Sequence, residues 1–349
     1  MKQAEVDRIL DALPSKTIAV VGDFCLDRYF HLDPSIEDRS VETGLPIHQI
    51  MRVRSSPGGG GNVLSNVAAL GVGTVLPVGF VGRDGEGYEL RGHLAGMGIS
   101  FDYLVESESR PTPAFIKPLA PEGVKWRETS RYDIFPREPL SGEDERRLLE
   151  RLEEAFERAD ALIVSDYWET GKEGGITPVI RERAMALARD GRDKPVFTDS
   201  RRFIDEFRHV YIKPNEKEAA RFLGAAEPES LSVGELGKAG CDIAGRNSRT
   251  VYLTIGERGM LVCGADDFTH IPAFPVEGEI DIVGAGDTVV AAVTAALAAG
   301  ASGLDAGLFG VLAASITVQQ VDTTGVARPE DIRRRFIEYA GRFPELAGT

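Results

Sequence analysis

Short apolar runs that each end in a polar residue alternate with helical patterns through most of this sequence, and this alternation restricts the fold most strongly. The runs occupy residues 17–23, 161–167, 195–200, 209–215 and 250–256. Because they are almost continuously apolar, they are typical of strands buried on both faces. We therefore predict an α/β fold with a mostly parallel sheet flanked by helices. Ligands of such sheets bind at the carboxyl ends of the strands, where the polar residues stand.

Two regions depart from this alternation. Residues 28–56 and 100–135 contain short strands of alternating polarity and few helical patterns. We predict that they form a small β-rich lid over the main sheet, the alternative being two long surface loops. No internal repeat or long linker divides the chain, so residues 1–349 are predicted to be a single domain.

The composition excludes several classes of protein. A net charge of −15 argues against a general nucleic-acid binder, which normally presents a basic face. There is no apolar run of about 18 or more residues, so we expect no membrane span. The N-terminus lacks the pattern of a secretory signal, and the three cysteines are scattered. A reduced, cytoplasmic setting is the expectation.

The segment at 279–300 is the most informative for chemistry. Gly284, Ala285 and Gly286 have little or no side chain, and an alanine-rich helix follows from Asp287 or Thr288. Such a turn presents unpaired backbone N–H groups and the positive end of the helix dipole, which suits a phosphate or developing negative charge. Aspartate is also a favoured helix cap. These residues alone therefore fit a tight cap as well as a catalytic loop.

A second glycine-rich segment spans residues 57–71, where four glycines precede a helix. They allow the backbone to approach a ligand closely. Asn62 and Asn66 lie four residues apart and share one helix face, and their amides suit sugar hydroxyls. The alternative is a flexible loop with two solvated asparagines. The segment is not a phosphate-binding loop of the Walker A type, since no Gly-Lys-Ser/Thr follows. It also lacks the dinucleotide-binding fingerprint, so a dehydrogenase is only a distant alternative.

Taken in order, these segments resemble the two signatures of the ribokinase-like (PfkB-type) carbohydrate kinases. The resemblance extends from GDFCLD (22–27) to TTG (323–325). It implies a doubly wound α/β domain with a β lid, ATP and Mg²⁺ as cofactors, and a small sugar or sugar phosphate as partner. The segments SVETGLPIHQI (40–50), SDY (165–167) and TIGERGM (254–260) are most similar to the kinases that phosphorylate heptose 7-phosphate at its anomeric position. The chain ends soon after this region, so we expect no fused nucleotidyltransferase domain.

The resemblance assigns roles on the phosphoryl-donor side. Asp287 would be the base, and the N–H groups of Gly284, Ala285 and Gly286 would stabilise the transferred phosphate. Asn215 and Glu218 would organise Mg²⁺ through water. The remaining implied cofactor contacts are Thr254, Gly256 and Gly259 along ATP, with Ser200 and Arg201 near phosphate.

On the acceptor side, Asp27, Gly58, Gly59 and Asn62 match the residues that bind sugar hydroxyls, although Asp27 also fits a helix or turn cap. Three lid cations suit an acceptor phosphate because their side chains match phosphate oxygens, or else they are solvated surface charges. These are Lys117, Arg127 and Arg131.

Several points leave the acceptor open. Val283 stands where the family commonly has Thr. Val311 stands where many relatives carry Asn or His near the adenine. A hexose, a ketose phosphate and a nucleoside remain alternatives, the last with Phe115, Trp126 and Tyr132 as stacking candidates. A catalytically silent sugar- or nucleotide-binding protein is the alternative of a different class. The resemblance also implies a homodimer joined through the lid. It further implies a monovalent cation such as K⁺ between the loops at 281–287 and 322–325, where Asp281 could contribute an oxygen ligand.

Overall fold

A nine-stranded sheet forms the centre of the described part of the chain. The computed structural model describes residues 1–36, 38–123, 125–168, 173–191, 193–224, 231–321 and 323–347. From one edge to the other, the strands are β16 (Phe268–Ile271), β15 (Met260–Cys263), β14 (Val251–Thr254), β13 (Tyr211–Ile212), β12 (Val196–Ser200), β11 (Ala161–Asp166), β1 (Thr17–Gly22), β6 (Thr74–Gly82) and β7 (Leu104–Ser107). The seven strands from β14 to β7 pair in parallel, and β15 and β16 are antiparallel. The predicted α/β fold is confirmed.

Helices cover both faces of this sheet and create two apolar cores. In chain order they are α1 (Gln3–Ala12), α2 (Gly60–Ala69), α3 (Gly85–Gly96), α4 (Gly142–Arg158), α5 (Pro178–Asp190), α6 (Glu216–Leu223), α7 (Val233–Asn247), α8 (Ala285–Ala298), α9 (Gly303–Thr317), α10 (Pro329–Arg342) and α11 (Pro344–Ala347). The helices α1–α3 and α8–α10 pack on one face, and α4–α7 pack on the other. Strands buried on both sides explain why their sequences are almost continuously apolar.

A second sheet of five strands forms the lid. Its strands are β10 (Tyr132–Ile134), β8 (Ala114–Glu122), β2 (Phe24–Leu32) and β5 (Ile50–Gly59), with β9 (Lys125–Glu128) paired to β8. A short ladder joins β3 (Asp38–Arg39) to β4 (Pro46–Ile47). The β-rich lid is present, but the predicted start of its second segment at residue 100 is wrong, because β7 pairs with β6 in the main sheet. Alternating polarity did not separate a sheet-edge strand from a lid strand.

The connection between the two sheets places the lid next to the strand ends. Asp23 alone separates β1 from β2, so the chain passes directly from the main sheet into the lid. The backbone carbonyl of Asp23 accepts a hydrogen bond from the Gly60 N–H at 2.8 Å, where β5 gives way to α2. The first turn of α2 is therefore fixed at the carboxyl end of β1.

Two other sequence expectations concern the environment of the protein. None of the described helices is long and apolar enough to cross a membrane. The three cysteines are free thiols. The cytoplasmic setting and the single-domain organisation stay predictions.

Candidate functional site

Asp287 lies in the first turn of α8 and is almost completely buried, with 6% of its surface exposed. Its Oδ2 accepts a hydrogen bond of 2.7 Å from the Asn62 Nδ2, and the Tyr167 hydroxyl lies 3.2 Å from both carboxylate oxygens. Burial disfavours the charged form and raises the pKa of Asp287 to about 6, while the Asn62 hydrogen bond opposes that rise. The carboxylate is therefore ionised near neutral pH and able to accept a proton.

Two rungs of hydrogen bonds join α2 to α8 around this carboxylate. Asn62 forms the first rung with Asp287, and the Thr288 hydroxyl donates to Asn66 Oδ1 at 3.0 Å in the second. Asn66 also donates to the Asn62 backbone carbonyl at 3.0 Å. The predicted shared face of Asn62 and Asn66 is thus directed at α8. Asn62 supports Asp287 directly, and its contact with a sugar stays a prediction.

The glycines beside these helices permit this close approach. Gly284 has φ +81, and a Cβ there would stand 2.5 Å from Asn62 Nδ2. A Cβ on Gly58 would stand 2.4 Å from Asp27 Oδ2, so this glycine lets β5 pass close to that carboxylate. Both positions fit a backbone approach that other residues would block.

The turn before α8 differs in one respect from the expected phosphate-binding turn with unpaired backbone N–H groups. The Ala285 N–H donates to the Ile282 carbonyl at 3.2 Å, so this amide is engaged in a turn. Gly286 and Asp287 lie in the first helical turn, whose amides lack carbonyl partners within the helix. The anion-binding roles of Gly284, Ala285 and Gly286 stay predictions, with the Gly286 amide the best placed of the three.

Lys213 follows β13 and was not identified from the sequence. Its ammonium is buried, lies 3.3 Å from Asp199 Oδ2, and stands 3.4 Å from the point that a Cβ on Gly286 would occupy. Burial opposes its charge, but the carboxylates of Asp199 and Glu218 outweigh that effect and raise the pKa of Lys213. The sequence did contain a signal for Lys213, because a lysine at the end of an apolar strand is expected to be buried and a buried charge needs a partner.

Asn215 and Glu218 form the N-terminal cap of α6. Asn215 Oδ1 accepts from the Glu218 N–H at 3.0 Å, and Glu218 Oε2 accepts from the Asn215 N–H at 2.8 Å. This capping box explains the residue types and fixes both side chains at the strand ends. Burial raises the pKa of Glu218. Among the described residues there is no cluster of three or more metal-ligating side chains, so water-mediated Mg²⁺ binding stays a prediction.

The loop between β14 and β15 lies beside this cap. The Thr254 N–H donates to the Pro214 carbonyl at 3.0 Å, adjacent to Asn215. Gly256 and Gly259 have φ of +59 and +101, and a Cβ on Gly259 would stand 2.1 Å from the Ile271 carbonyl. These glycines are needed for the loop itself, and their contacts with ATP stay predictions.

Buried carboxylates at the ends of β1 and β11 were also missed as functional candidates. Asp23 accepts from the Gly175 N–H at 2.6 Å, and burial raises its pKa to about 7. Asp166 accepts from the Ser200 hydroxyl at 2.7 Å, and burial raises its pKa to about 6. Ser200 is fully buried and supports Asp166 through this bond, and its contact with a cofactor stays a prediction. Arg201 lies over the Tyr167 ring at 4.4 Å.

The lid places a group of charged side chains around Tyr29. Lys117 Nζ lies 2.8 Å from Asp27 Oδ1 and 3.4 Å from the Tyr29 hydroxyl. The Arg54 guanidinium lies 3.9 Å from the Tyr29 ring centroid. Arg54 was not singled out from the sequence because nothing local distinguishes it from neighbouring Arg52.

The other lid residues are arranged differently. Arg127 pairs with Glu122, and Arg131 pairs with Asp133 at 2.8 Å, both on exposed lid surface. The candidate stacking residues do not form one wall: Phe115 contacts Phe135, Trp126 contacts His31, and Tyr132 is exposed.

The candidate cation loops lie close together. The Thr324 methyl lies 3.5 Å from the point that a Cβ on Gly284 would occupy. Asp281 Oδ1 accepts from the Val283 N–H at 2.9 Å, and the Asp281 N–H donates to the Val318 carbonyl. Residue 322 lies outside the described residues, as do 169–172 in the segment after SDY. A monovalent cation here stays a prediction.

Comparisons with known proteins agree with this geometry. The family model described as pfkB family carbohydrate kinase matches residues 15–330. The chain is 34% identical over 324 residues to the bifunctional protein HldE of Caulobacter vibrioides, covering 91% of this chain and 63% of that protein. It is 32% identical to the HldE of Bradyrhizobium sp., covering 98% of this chain and 67% of that protein. The chain thus spans about two thirds of the length of these relatives.

Solved structures show the same fold at lower identity. Arabidopsis thaliana ribokinase complexed with ribose and ATP matches with a TM-score of 0.67 and 20% identity, covering 92% of this chain and 98% of that one. Escherichia coli phosphofructokinase-2 in complex with substrates and products matches with a TM-score of 0.69 and 20% identity, covering 93% and 99%.

Proposed function

The chain belongs to the pfkB family of carbohydrate kinases, and from this premise we propose that it phosphorylates heptose 7-phosphate at the anomeric hydroxyl with Mg-ATP. The sugar-kinase activity follows from family membership. The identity of the acceptor is a more specific proposal, and the similarity to HldE proteins over most of this chain supports it. The observation that carries the mechanism is the buried Asp287 carboxylate, which stands in the first turn of α8 and is held by Asn62 of α2.

In the proposed reaction, Asp287 accepts the proton of the attacking hydroxyl. The sugar oxygen then bonds to the γ-phosphorus of ATP as the bond to the bridging oxygen breaks, and ADP leaves. Asn62 holds Oδ2 of the base through its hydrogen bond of 2.7 Å. Positioning and electrostatic stabilisation supply most of the acceleration in phosphoryl transfer. The Gly286 amide and the positive end of α8 suit the charge on the transferred group.

Asn215 and Glu218 are proposed to hold Mg²⁺ through water. Hard cations prefer oxygen ligands, and the Glu218 carboxylate is fixed near Lys213 by its capping hydrogen bond. When bound, Mg²⁺ neutralises charge on the phosphates of ATP. Thr254, Gly256 and Gly259 would line the nucleotide, and K⁺ would occupy the loops around Asp281.

A phosphorylated acceptor is supported by the charges of the lid. We propose that Asp27 binds sugar hydroxyls, and its position beside the glycine-rich end of β5 at Gly58 supports this role. Lys117 and Arg54 surround Tyr29 on the same sheet, and both can donate to phosphate oxygens. Arg131 is nearer the surface, so we assign it a secondary role.

A homodimer through the lid is also proposed. Among the described strands, β5 pairs with β2 alone and thus exposes an edge. Ile50, Met51 and Val53 are exposed on that strand, and unpaired apolar edges favour association.

The test of this function is ADP release from Mg-ATP against a panel of acceptors. The panel contains heptose 7-phosphate, unphosphorylated heptose, hexoses, ketose phosphates and nucleosides. We expect turnover with heptose 7-phosphate to exceed that with the others. Faster turnover of another acceptor would refute the heptose assignment, and binding of ATP without any turnover would favour a silent binding protein.

A further inference from the structure

We propose that Asp23 is a positioning residue of this kinase, which together with Arg110 holds the Tyr167 hydroxyl against the carboxylate of Asp287. This inference rests on the proposed function, because it takes Asp287 as the base. Asp23 acts on Asp287 indirectly, through the chain segment that follows β11 and begins with Tyr167.

The described chain passes between the lid and the rest of the protein at four crossings. They lie at Asp23 before β2, at Gly60 after β5, at residues 108–113 before β8 and at residues 135–141 after β10. The Asp23 carbonyl accepts a hydrogen bond from the Gly60 N–H at 2.8 Å, which joins the first two crossings. Arg110 Nη1 donates to the Glu138 carbonyl at 2.9 Å, which joins the other two. Asp23 and Arg110 thus link the places where the lid is attached.

Both side chains also hold residues 173–175, which we call the support segment. Asp23 Oδ1 accepts from the Gly175 N–H at 2.6 Å, and Arg110 Nη2 donates to the Glu173 carbonyl. A Cβ on Gly175 would stand 3.3 Å from Asp23 Oδ1, so a side chain there would crowd this contact. The support segment is therefore fixed to the crossings at both of its ends.

The support segment in turn contacts the residue next to Tyr167. Gly174 lies against the Trp168 indole, since a Cβ on this glycine would stand 2.3 Å from the indole Cδ1. The Trp168 ring also contacts Phe135, at the crossing after β10, with ring centroids 4.8 Å apart. Tyr167 precedes Trp168, and its hydroxyl lies 3.2 Å from both carboxylate oxygens of Asp287. A shift of the support segment would therefore move Trp168 and, with it, the Tyr167 hydroxyl.

The two charged groups at the crossings are buried, which is costly for charges. Asp23 and Arg110 each have 8% of their surface exposed. Burial lowers the pKa of Arg110, and the Asp23 carboxylate opposes this effect. The competing explanation is that both residues only stabilise the attachment of the lid. A role in stability alone would not depend on Tyr167, whereas a positioning role requires its hydroxyl.

The test is a double-mutant cycle on kcat in the ADP-release assay, with the wild type, Asp23→Leu, Tyr167→Phe and the double variant. We expect Tyr167→Phe to lower kcat about tenfold, the scale of one hydrogen bond to a charged group. Asp23→Leu should lower kcat about three- to tenfold, because it weakens the same hydrogen bond. The double variant should lie within about twofold of Tyr167→Phe, since the two changes remove one interaction. KM for ATP should change by less than about threefold, because the contact is with the base.

Three further variants keep the result interpretable. Asp23→Asn retains an oxygen that can accept from the Gly175 N–H, so its kcat should stay within about twofold of the wild type. Asp160→Leu is the matched control, because Asp160 Oδ2 accepts from the Thr17 N–H at 2.8 Å at the opposite end of β1. It should leave kcat unchanged. Arg110→Met releases the support segment from its other end and takes the place of Asp23→Leu in the cycle if that variant does not fold.

Additive losses in the double variant would overturn the proposal, because Asp23 would then act without Tyr167. A wild-type kcat in Asp23→Leu would also overturn it. A loss in Asp23→Asn as large as that in Asp23→Leu would do the same, since the hydrogen bond to Gly175 would not carry the effect.

Hydrogen exchange measured by mass spectrometry tests the support segment without any acceptor. Its peptide should exchange at least about tenfold faster in Asp23→Leu and Arg110→Met, and at the wild-type rate in Asp160→Leu. Unchanged exchange in the first two variants would overturn the proposal. Failure of the wild type to turn over heptose 7-phosphate would refute only the proposed acceptor. The cycle would then use the acceptor of the panel with the fastest turnover, and the exchange result decides the proposal if none is turned over.

Discussion

From the hydrogen bond between Asn62 and Asp287 we predict quantitatively how the reaction rate depends on pH. The bond is 2.7 Å long, buried, and donated to a carboxylate whose pKa is about 6. Replacing Asn62 by leucine keeps the approximate shape and removes the donor. A hydrogen bond to a charged group contributes about 1.5–3 kcal/mol, and each pH unit corresponds to about 1.4 kcal/mol. The acidic limb of kcat/KM should therefore move upward by about one to two pH units.

The assay is ADP release under kcat/KM conditions between about pH 5 and 9, a range that brackets the ionisation of Asp287. In the wild type, activity should fall as pH falls through about 6, because the protonated base cannot accept a proton. At neutral pH, Asn62→Leu should be slower by about two- to fifteenfold, from the smaller ionised fraction. Much of that loss should be recovered at alkaline pH.

The matched control is Thr288→Val in the neighbouring rung. It removes the 3.0 Å hydrogen bond to Asn66 and leaves the contacts of Asp287 intact. We expect a loss of stability of about 1–3 kcal/mol, because Asn66 Oδ1 would be left buried without this donor. Its acidic limb should stay near that of the wild type. An Asn62→Leu limb that does not move, or that moves equally in Thr288→Val, would refute the reasoning.

The remaining predictions concern stability, the acceptor and assembly. The pKa of Asp287 in the folded protein lies above its ordinary value, so the ionised group opposes folding above about pH 6, and this cost disappears as pH falls below the pKa of the unfolded chain. Thermal melts should therefore show Asp287→Asn more stable than the wild type at alkaline pH by about 1–3 kcal/mol. A gain in stability that persists in strong acid would contradict this. Arg54→Ala and Lys117→Ala should raise KM for heptose 7-phosphate at least about tenfold more than for unphosphorylated heptose, whereas equal increases would limit both residues to supporting the lid. In light scattering, the wild type should have the mass of the proposed dimer and Met51→Lys that of a monomer; a mass unchanged by the substitution would contradict an interface at this edge.

Local sequence patterns were sufficient for the fold and for the turn at the start of α8. The strands β1, β11, β12, β13 and β14 lie within the predicted apolar runs, because burial on both faces leaves a continuous apolar pattern. The small residues before Asp287 also predicted a turn leading into a helix, which the structure contains.

What sequence reasoning missed depends on contacts between distant segments. Asn62 and Asp287 are 225 positions apart, so no local pattern joins them. Lys213 looked like the end of an apolar strand, and only the packing of α8 reveals that its ammonium lies beside Gly286. The boundary error at β7 has a similar cause, since partner choice, not polarity, decides to which sheet a short strand belongs.

The proposed mechanism depends on Asp287 as the base that accepts the proton of the sugar hydroxyl. Its most direct test is single-turnover transfer from Mg-ATP to heptose 7-phosphate by the wild type and Asp287→Asn, with ATP and sugar affinities measured on the same preparations. We predict that Asp287→Asn binds both ligands almost normally and transfers phosphate at least about a hundredfold more slowly. Transfer at a rate close to that of the wild type would contradict the assignment.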